Sequence, residues 1–124
     1  MTTLPKIAIV GPGAWGQALA KNSIVNHKAT ITFFGKPHHK TDLPVRINHT
    51  LEDIAHYDGI ILATPSTEIP SILETLAKKK VTNPILCASK GLAIYDNTAY
   101  LFHELPFVYK KYFRYLSGPT FAKE

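Results

Sequence analysis

The sequence predicts an α/β fold, a doubly wound parallel sheet formed by a single domain over residues 1–124. Short apolar runs alternate with stretches of helical period. Several of those runs are apolar on both faces, as strands covered by helices above and below must be, whereas a half-solvated strand would alternate. The first run also passes straight into a glycine-rich turn that opens a helical stretch. With 124 residues, 45% hydrophobic side chains and 19% charged ones, the chain is long enough to bury one core. No polar tract, repeat or linker divides it.

Five runs read as strands: Ile7 to Val10, Thr30 to Phe34, Gly59 to Ala63, Ile85 to Ser89 and Tyr115 to Ser117. A helix containing Ala18, Leu19 and Val25 follows the first. Lys36 to Arg46 carries two prolines and little periodicity, and reads as the longest loop. Thr50 followed by Asp53 predicts a short capped helix through about Tyr57. Ile69, Ile72, Leu73, Leu76 and Ala77 stand at i, i+3, i+4, i+7 and i+8, which puts one apolar stripe on a helix spanning about Thr67 to Lys79. Lys78, Lys79 and Lys80 then complement its dipole, a role that suits them better than a nucleic-acid patch. Asp96 is expected to cap a further helix ending before Pro106.

Composition excludes several functions. Cys87 is the one cysteine and lies in an apolar run, so neither an internal disulfide nor a CxxC metal site can form, and a reducing, cytoplasmic setting is expected. No apolar run reaches the roughly 18 residues of a membrane span, and no signal peptide or anchor is read. Six histidines include no i, i+4 pair with a carboxylate partner on a credible helix, so no metal site is expected. The net charge of +5 suits an anionic partner, which a phosphate-bearing small molecule satisfies as well as nucleic acid does. Bases and aromatics mix in the run from Tyr109 to Tyr115, but its end also reads as the last strand of the sheet, and nucleic-acid binding is not expected.

The chemistry begins at Gly11-Pro12-Gly13-Ala14-Trp15-Gly16. In a strand–turn–helix context a G-x-G-x-x-G sequence binds dinucleotides. The first glycine allows the tight turn, the second lets a pyrophosphate approach the backbone, and the third lets helix and strand pack closely, with N–H groups and the helix dipole facing the anion. This is the Rossmann-like arrangement. Pro12 complicates it mildly by removing one N–H and biasing Gly11 toward extended backbone. About twenty residues after such a loop, a carboxylate commonly receives the ribose hydroxyls of NAD, whereas a basic side chain accommodates the extra phosphate of NADP. Here the second strand ends Phe33-Phe34-Gly35-Lys36, with His38, His39 and Lys40 beyond. The absence of a carboxylate there points toward NADP(H), or use of either NADP(H) or NAD(H), with Lys36 the candidate contact for a 2′-phosphate.

Four segments together resemble the bacterial-type NAD(P)-dependent glycerol-3-phosphate dehydrogenases: Gly11 to Ala20, the loop Ala63-Thr64-Pro65-Ser66, the tripeptide Ser89-Lys90-Gly91, and Leu116 to Glu124 with its Ser-Gly-Pro-Thr-Phe-Ala core. The last two, in that order, are the specific signal, and the resemblance spans essentially the whole chain. It implies reduction of dihydroxyacetone phosphate to sn-glycerol 3-phosphate, a supply of glycerophospholipid precursor. It implies cofactor contacts from Ala14, Trp15 and Lys36, from Lys90 to cofactor and substrate, from Gly118 and Thr120 to glycerol phosphate, and from Ala122 to the cofactor again. In such enzymes a helical second domain follows and supplies the catalytic lysine. No residue of this chain is therefore assigned a catalytic role, and negligible turnover is expected from the chain alone, read as the amino-terminal half of such an enzyme.

Two other classes compete. A stand-alone nucleotide-binding or interaction module would bind NAD(P)(H) without turnover and be stable by itself, whereas a severed half would expose apolar surface. A basic nucleic-acid binder would show salt-sensitive oligonucleotide binding that nicotinamide nucleotides do not displace. Oligomeric state is left open by the sequence.

Overall fold

The computed structural model describes residues 4–89, 93–101, 104–106, 108 and 112–115. Six strands form one parallel sheet: β1 (Lys6–Val10), β2 (Thr30–Phe34), β3 (Ile47–Asn48), β4 (Gly59–Leu62), β5 (Ile85–Cys87) and β8 (Phe113–Tyr115), in the order β3-β2-β1-β4-β5-β8. The remaining pair, β6 (Ala93–Tyr95) and β7 (Thr98–Tyr100), makes an antiparallel hairpin. The chain runs outward from β1 to one edge, then returns to start β4 on the other side of β1. That reversal opens a crevice at the carboxyl ends of the strands, the usual ligand position in open α/β sheets.

Register aligns those ends. Val10 pairs with Phe34 on one side and Leu62 on the other, and Leu62 pairs with Cys87. The turns after β1, β2, β4 and β5 therefore emerge side by side along one rim. Alternation along the buried strands feeds two cores. Ala8, Val10, Phe34, Ile60, Leu62 and Cys87 face Ile69, Leu73 and Leu76 of α2 (Ile69–Lys78), while Ile9, Ile31 and Phe33 face Ala20 of α1 (Ala14–Val25). Phe33 and Phe34, adjacent in sequence, are both almost wholly buried on opposite faces. Each contributes roughly 1.5–3 kcal/mol by leaving water.

Both helices end alike. In α1, His27 donates to the carbonyl of Ile24 and Lys28 to that of Ser23; in α2, Lys80 donates to Ala77 and Val81 to Leu76. These are Schellman closures, which need a left-handed residue just past the cap. His27 at φ 52° and Lys80 at φ 57° occupy that position in place of the usual glycine. Val81 then packs with Leu76 in the first core, the hydrophobic contact that accompanies the motif.

The structure agrees with the first four strand expectations to within two residues and places the last strand two residues earlier, at Phe113–Tyr115, with Leu116 and Ser117 outside the described residues. Lys36 to Arg46 is free of helix and strand, and it connects β2 to β3 without the helix such a crossover normally contains. Leu43 and Val45 of this segment cover part of the second core in its place.

Three expectations are corrected. The helix predicted from Thr50 is a single 3₁₀ turn, Ile54–His56, because Thr50 Oγ1 accepts only a long 3.5 Å bond from Glu52 N and Asp53 makes no side-chain cap. Asp96 caps no helix. It and Asn97 sit at φ 53° and 61°, the two left-handed positions of a tight hairpin turn between β6 and β7, flanked by strand-forming Tyr95 and Thr98. Ala77, placed on the apolar stripe, is exposed, because α2 is already in its last turn there.

Candidate nucleotide-binding crevice

Loop 11–16 is set by close backbone packing. Gly11 lies at φ +106°, and a Cβ on it would stand 2.8 Å from the Ala63 carbonyl carbon. The conformation is one that L-residues avoid, and the space is filled by the turn after β4. A Cβ on Gly16 would overlap the carbonyl oxygen of Gly11 and crowd Ile9, so α1 can start this close to β1 only with glycine there. Gly13 is the opposite case, with no heavy atom within 4 Å of where its Cβ would be. It is the helix cap of α1 and makes no side-chain capping bond, and the first turn carries no acidic residue. The first-turn N–H groups, which no helix can satisfy internally, thus face open space at the positive end of the helix dipole. Pro12 removes one N–H as expected and leaves the turn intact, its carbonyl accepting a 3.0 Å bond from Gln17 Nε2.

Gln17 was not singled out from the sequence, yet it ties two walls together. Its Nε2 also donates to Lys40 O at 3.3 Å, and its Oε1 accepts from Thr41 Oγ1 at 3.0 Å. The 36–41 loop is thereby fastened to α1. Within that loop, His39 N donates to Lys36 O, and Lys36 N donates to His39 Nδ1 at 2.8 Å. His49 donates to Gly35 O at 3.2 Å from the adjoining strand end. Partial burial, and then the positive neighbours His38 and Lys36, hold the His39 pKa below its ordinary value. The neutral ring is also the form that can accept the Lys36 N–H.

Between the turns after β1, β2 and β4 lies a cavity of about 150 Å³, lined among others by Gly11, Gly35, Lys36, His39, Thr64 and Glu68. Lys36 Nζ lies 3.7 Å from Glu68 Oε2 across it. Thr64 is buried, and its Oγ1 has no hydrogen-bond partner among the described residues. At the other end of the rim, Trp15 Nε1 donates to Ala88 O at 3.0 Å, and Ser89 Oγ donates to Thr64 O at 2.5 Å. The first bond joins the glycine loop, and the second the turn after β4, to the turn after β5, immediately before Lys90.

Of the residues expected to bind the cofactor, Gly11 and Lys36 line this cavity, and Gly13, Ala14, Trp15 and Gly16 form the cap and first turn of α1 that follow Gly11. Lys90, Gly118, Thr120 and Ala122 lie outside the described residues. Glu68, Gln17, Thr64 and Ser89 were not picked out individually as site residues by sequence reasoning; for the last three, the resemblance marks only the segments in which they stand. The first-turn N–H groups, the open space above Gly13 and the unpartnered Thr64 hydroxyl fit a ligand with a diphosphate and hydroxylated sugars. Among the described residues no group of three metal-ligating side chains exists, and no helix is long and apolar enough to cross a membrane.

Comparison with known proteins accords with that geometry. No protein-family model matches the chain. A curated protein named glycerol-3-phosphate dehydrogenase [NAD(P)+] from Enterococcus faecalis is 28% identical over 141 aligned positions, covering 96% of this chain and 42% of the relative. One of the same name from Orientia tsutsugamushi is 32% identical over 106 positions, covering 70% of this chain and 32% of the relative. The crystal structure of a glycerol-3-phosphate dehydrogenase from Coxiella burnetii superposes with a TM-score of 0.64 at 19% identity, over 82% of this chain and 36% of that one, a likeness of fold. The chain spans well under half the length of these curated relatives.

Proposed function

This chain is homologous to the amino-terminal part of the NAD(P)-dependent glycerol-3-phosphate dehydrogenases, and from that premise we propose that it is the cofactor-binding portion of an oxidoreductase that reduces dihydroxyacetone phosphate to sn-glycerol 3-phosphate. The observation that carries the reading is the glycine loop. Gly11 and Gly16 are locked by close backbone contact while Gly13 leaves the space over the start of α1 open, the arrangement a pyrophosphate requires.

A nicotinamide dinucleotide supplies the hydride. The residues of this chain bind and orient. The first-turn N–H groups of α1, from Gly13 through Gly16, take the diphosphate. Lys36 stands at the adenosine-ribose end, while Trp15 holds the turn after β5 beside the glycine loop and Ser89 holds it to the turn after β4. Lys90 is assigned to both cofactor and substrate: an ammonium at that position would attract the phosphate or polarise the carbonyl of a triose phosphate. Gly118 and Thr120 are assigned to the substrate and Ala122 to the cofactor, all four on the resemblance of their motifs. Hydride transfer also needs a positioned acid for the developing alkoxide. In the family that group is a lysine of the helical domain, so the residues named here are given binding roles.

Parallel titration of purified protein with NADH and NADPH, followed by nucleotide fluorescence, tests the assignment. Saturable binding that Gly13→Val abolishes without unfolding the protein supports it; no binding of either nucleotide up to millimolar concentration overturns it.

A further inference from the structure

The sugar end of the crevice has a feature the end of β2 does not announce. In dinucleotide folds of this type the residue that reads the adenosine ribose is usually supplied at the end of the second strand. Here that position holds Gly35 and Lys36. The carboxylate comes instead from the opposite wall, where Glu68 closes the 3₁₀ turn Ser66–Glu68 ahead of α2 and reaches Lys36 Nζ at 3.7 Å. Both line the same cavity, Lys36 with its side chain 60% exposed and Glu68 38% exposed, so both are accessible to a ligand.

We infer that Glu68 discriminates between nicotinamide dinucleotides in this site, accepting the ribose 2′-hydroxyl of NAD(H) and opposing the 2′-phosphate of NADP(H). The inference rests on the nucleotide reading proposed above and deepens it. An ionised carboxylate accepts a hydroxyl proton in a charge-assisted bond and repels a phosphate. Lys36 alone would favour the phosphate, but it is the one permanent cation among the described residues that line the cavity, and Glu68 already holds it. His39 adds no competing charge near neutral pH, because its ring accepts the Lys36 N–H. Binding of a 2′-phosphate therefore requires Lys36 to leave its partner while that partner stays nearby as a like charge. A hydroxyl leaves the pair intact.

Titration of the full chain and of Glu68→Gln with NADH and with NADPH at low salt tests the inference, with thermal melting to establish that the variant is folded. The wild type should bind NADH more tightly. Glu68→Gln should raise the affinity for NADPH by about fivefold and lower that for NADH, shifting their ratio by about tenfold. Raising salt should shrink the NADPH gain. Lys36→Gln, a second variant on the exposed side of the pair, should weaken NADPH more than NADH. An unchanged NADH-to-NADPH ratio in a folded Glu68→Gln that binds both overturns the inference and leaves the nucleotide reading standing. Failure of the wild type to bind either nucleotide overturns the nucleotide reading, and the inference with it.

Discussion

Gly16 packs so closely beneath Gly11 that a methyl group on it would overlap the Gly11 carbonyl oxygen, whereas a methyl on Gly13, three residues earlier, would meet nothing within 4 Å. Two glycines of one motif thus differ in kind: one is fixed by packing, and the other leaves open the space that the proposed diphosphate would take. Gly16→Ala should destabilise the fold by about 2 kcal/mol or more, since the obstacle is main chain that cannot rotate away. Gly13→Ala should leave the melting temperature nearly unchanged and weaken nucleotide binding at least tenfold. Thermal melts and nucleotide titration of the two variants check this, and a Gly16→Ala protein as stable as wild type would contradict the packing argument.

The parallel sheet was legible because buried parallel strands are apolar on both faces, as in the runs Ile7 to Val10 and Gly59 to Ala63, whereas the strand order came only from the structure. The glycine loop was legible for the same reason that it functions: backbone contacts as tight as Gly16 on Gly11 admit one residue type. What escaped lies in long-range pairing. Glu68 belongs to α2 by sequence, and only the arrangement of β1, β2 and β4 carries it opposite Lys36. Ile47–Asn48 is too short to show a period, and becomes a strand because β2 offers it an edge. Asp96 resembled a helix cap because the same side chain that caps helices tolerates left-handed backbone, and the hairpin used the second property. His27 and Lys80 stand in the left-handed positions where glycine usually announces a helix end, yet the apolar stripe and the terminal lysines still marked the end of α2 to within one residue.

That substitution of lysine for glycine is itself testable. Left-handed backbone costs an ordinary L-residue roughly 1 kcal/mol relative to glycine. Lys80 holds it because Lys80 N and Val81 N close the end of α2. Lys80→Gly should stabilise the protein by about 0.5–1 kcal/mol in urea denaturation, and Lys80→Val, branched at Cβ, should destabilise it by more than that.

Ser89 joins the turns after β4 and β5 through its bond to the Thr64 carbonyl, and it is buried. Ser89→Ala should cost about 1–2 kcal/mol, because the carbonyl loses its partner where water cannot easily replace it. Loosening these two turns should also weaken nucleotide binding, with little effect on the choice between NADH and NADPH. Denaturation curves and paired titrations separate the two effects. A change in the nucleotide ratio would show that Ser89 touches the sugar end, contrary to its position at the opposite end of the rim.

Cys87 is fully buried in the first core at the end of β5, and burial raises its thiol pKa to about 11. The thiolate is the reactive form. Alkylation of the native protein at pH 8 should therefore be slow and limited by opening of the sheet, becoming fast in denaturant. A native rate close to that of a free thiol would place β5 at the surface and contradict the buried register of Cys87 with Leu62.

His39 makes the sugar end of the crevice sensitive to acid. Its pKa is lowered by burial and by His38 and Lys36, with Glu68 opposing them. A histidine whose folded pKa lies below its ordinary value of 6.5 contributes full stability above that pH. As pH falls below it, the unfolded chain takes up a proton that the folded chain resists, and stability declines until the folded ring titrates as well. Protonation of Nδ1 removes the acceptor for Lys36 N and frees the turn that carries Lys36. The His39 ring resonances, followed by NMR, should titrate below 6.5 in the wild type. In Glu68→Gln, which removes the one nearby charge that raises it, they should move lower still. Titration above 6.5 would mean that the ring is not the acceptor of the Lys36 N–H, and the geometry of the 36–39 turn would have to be revised accordingly.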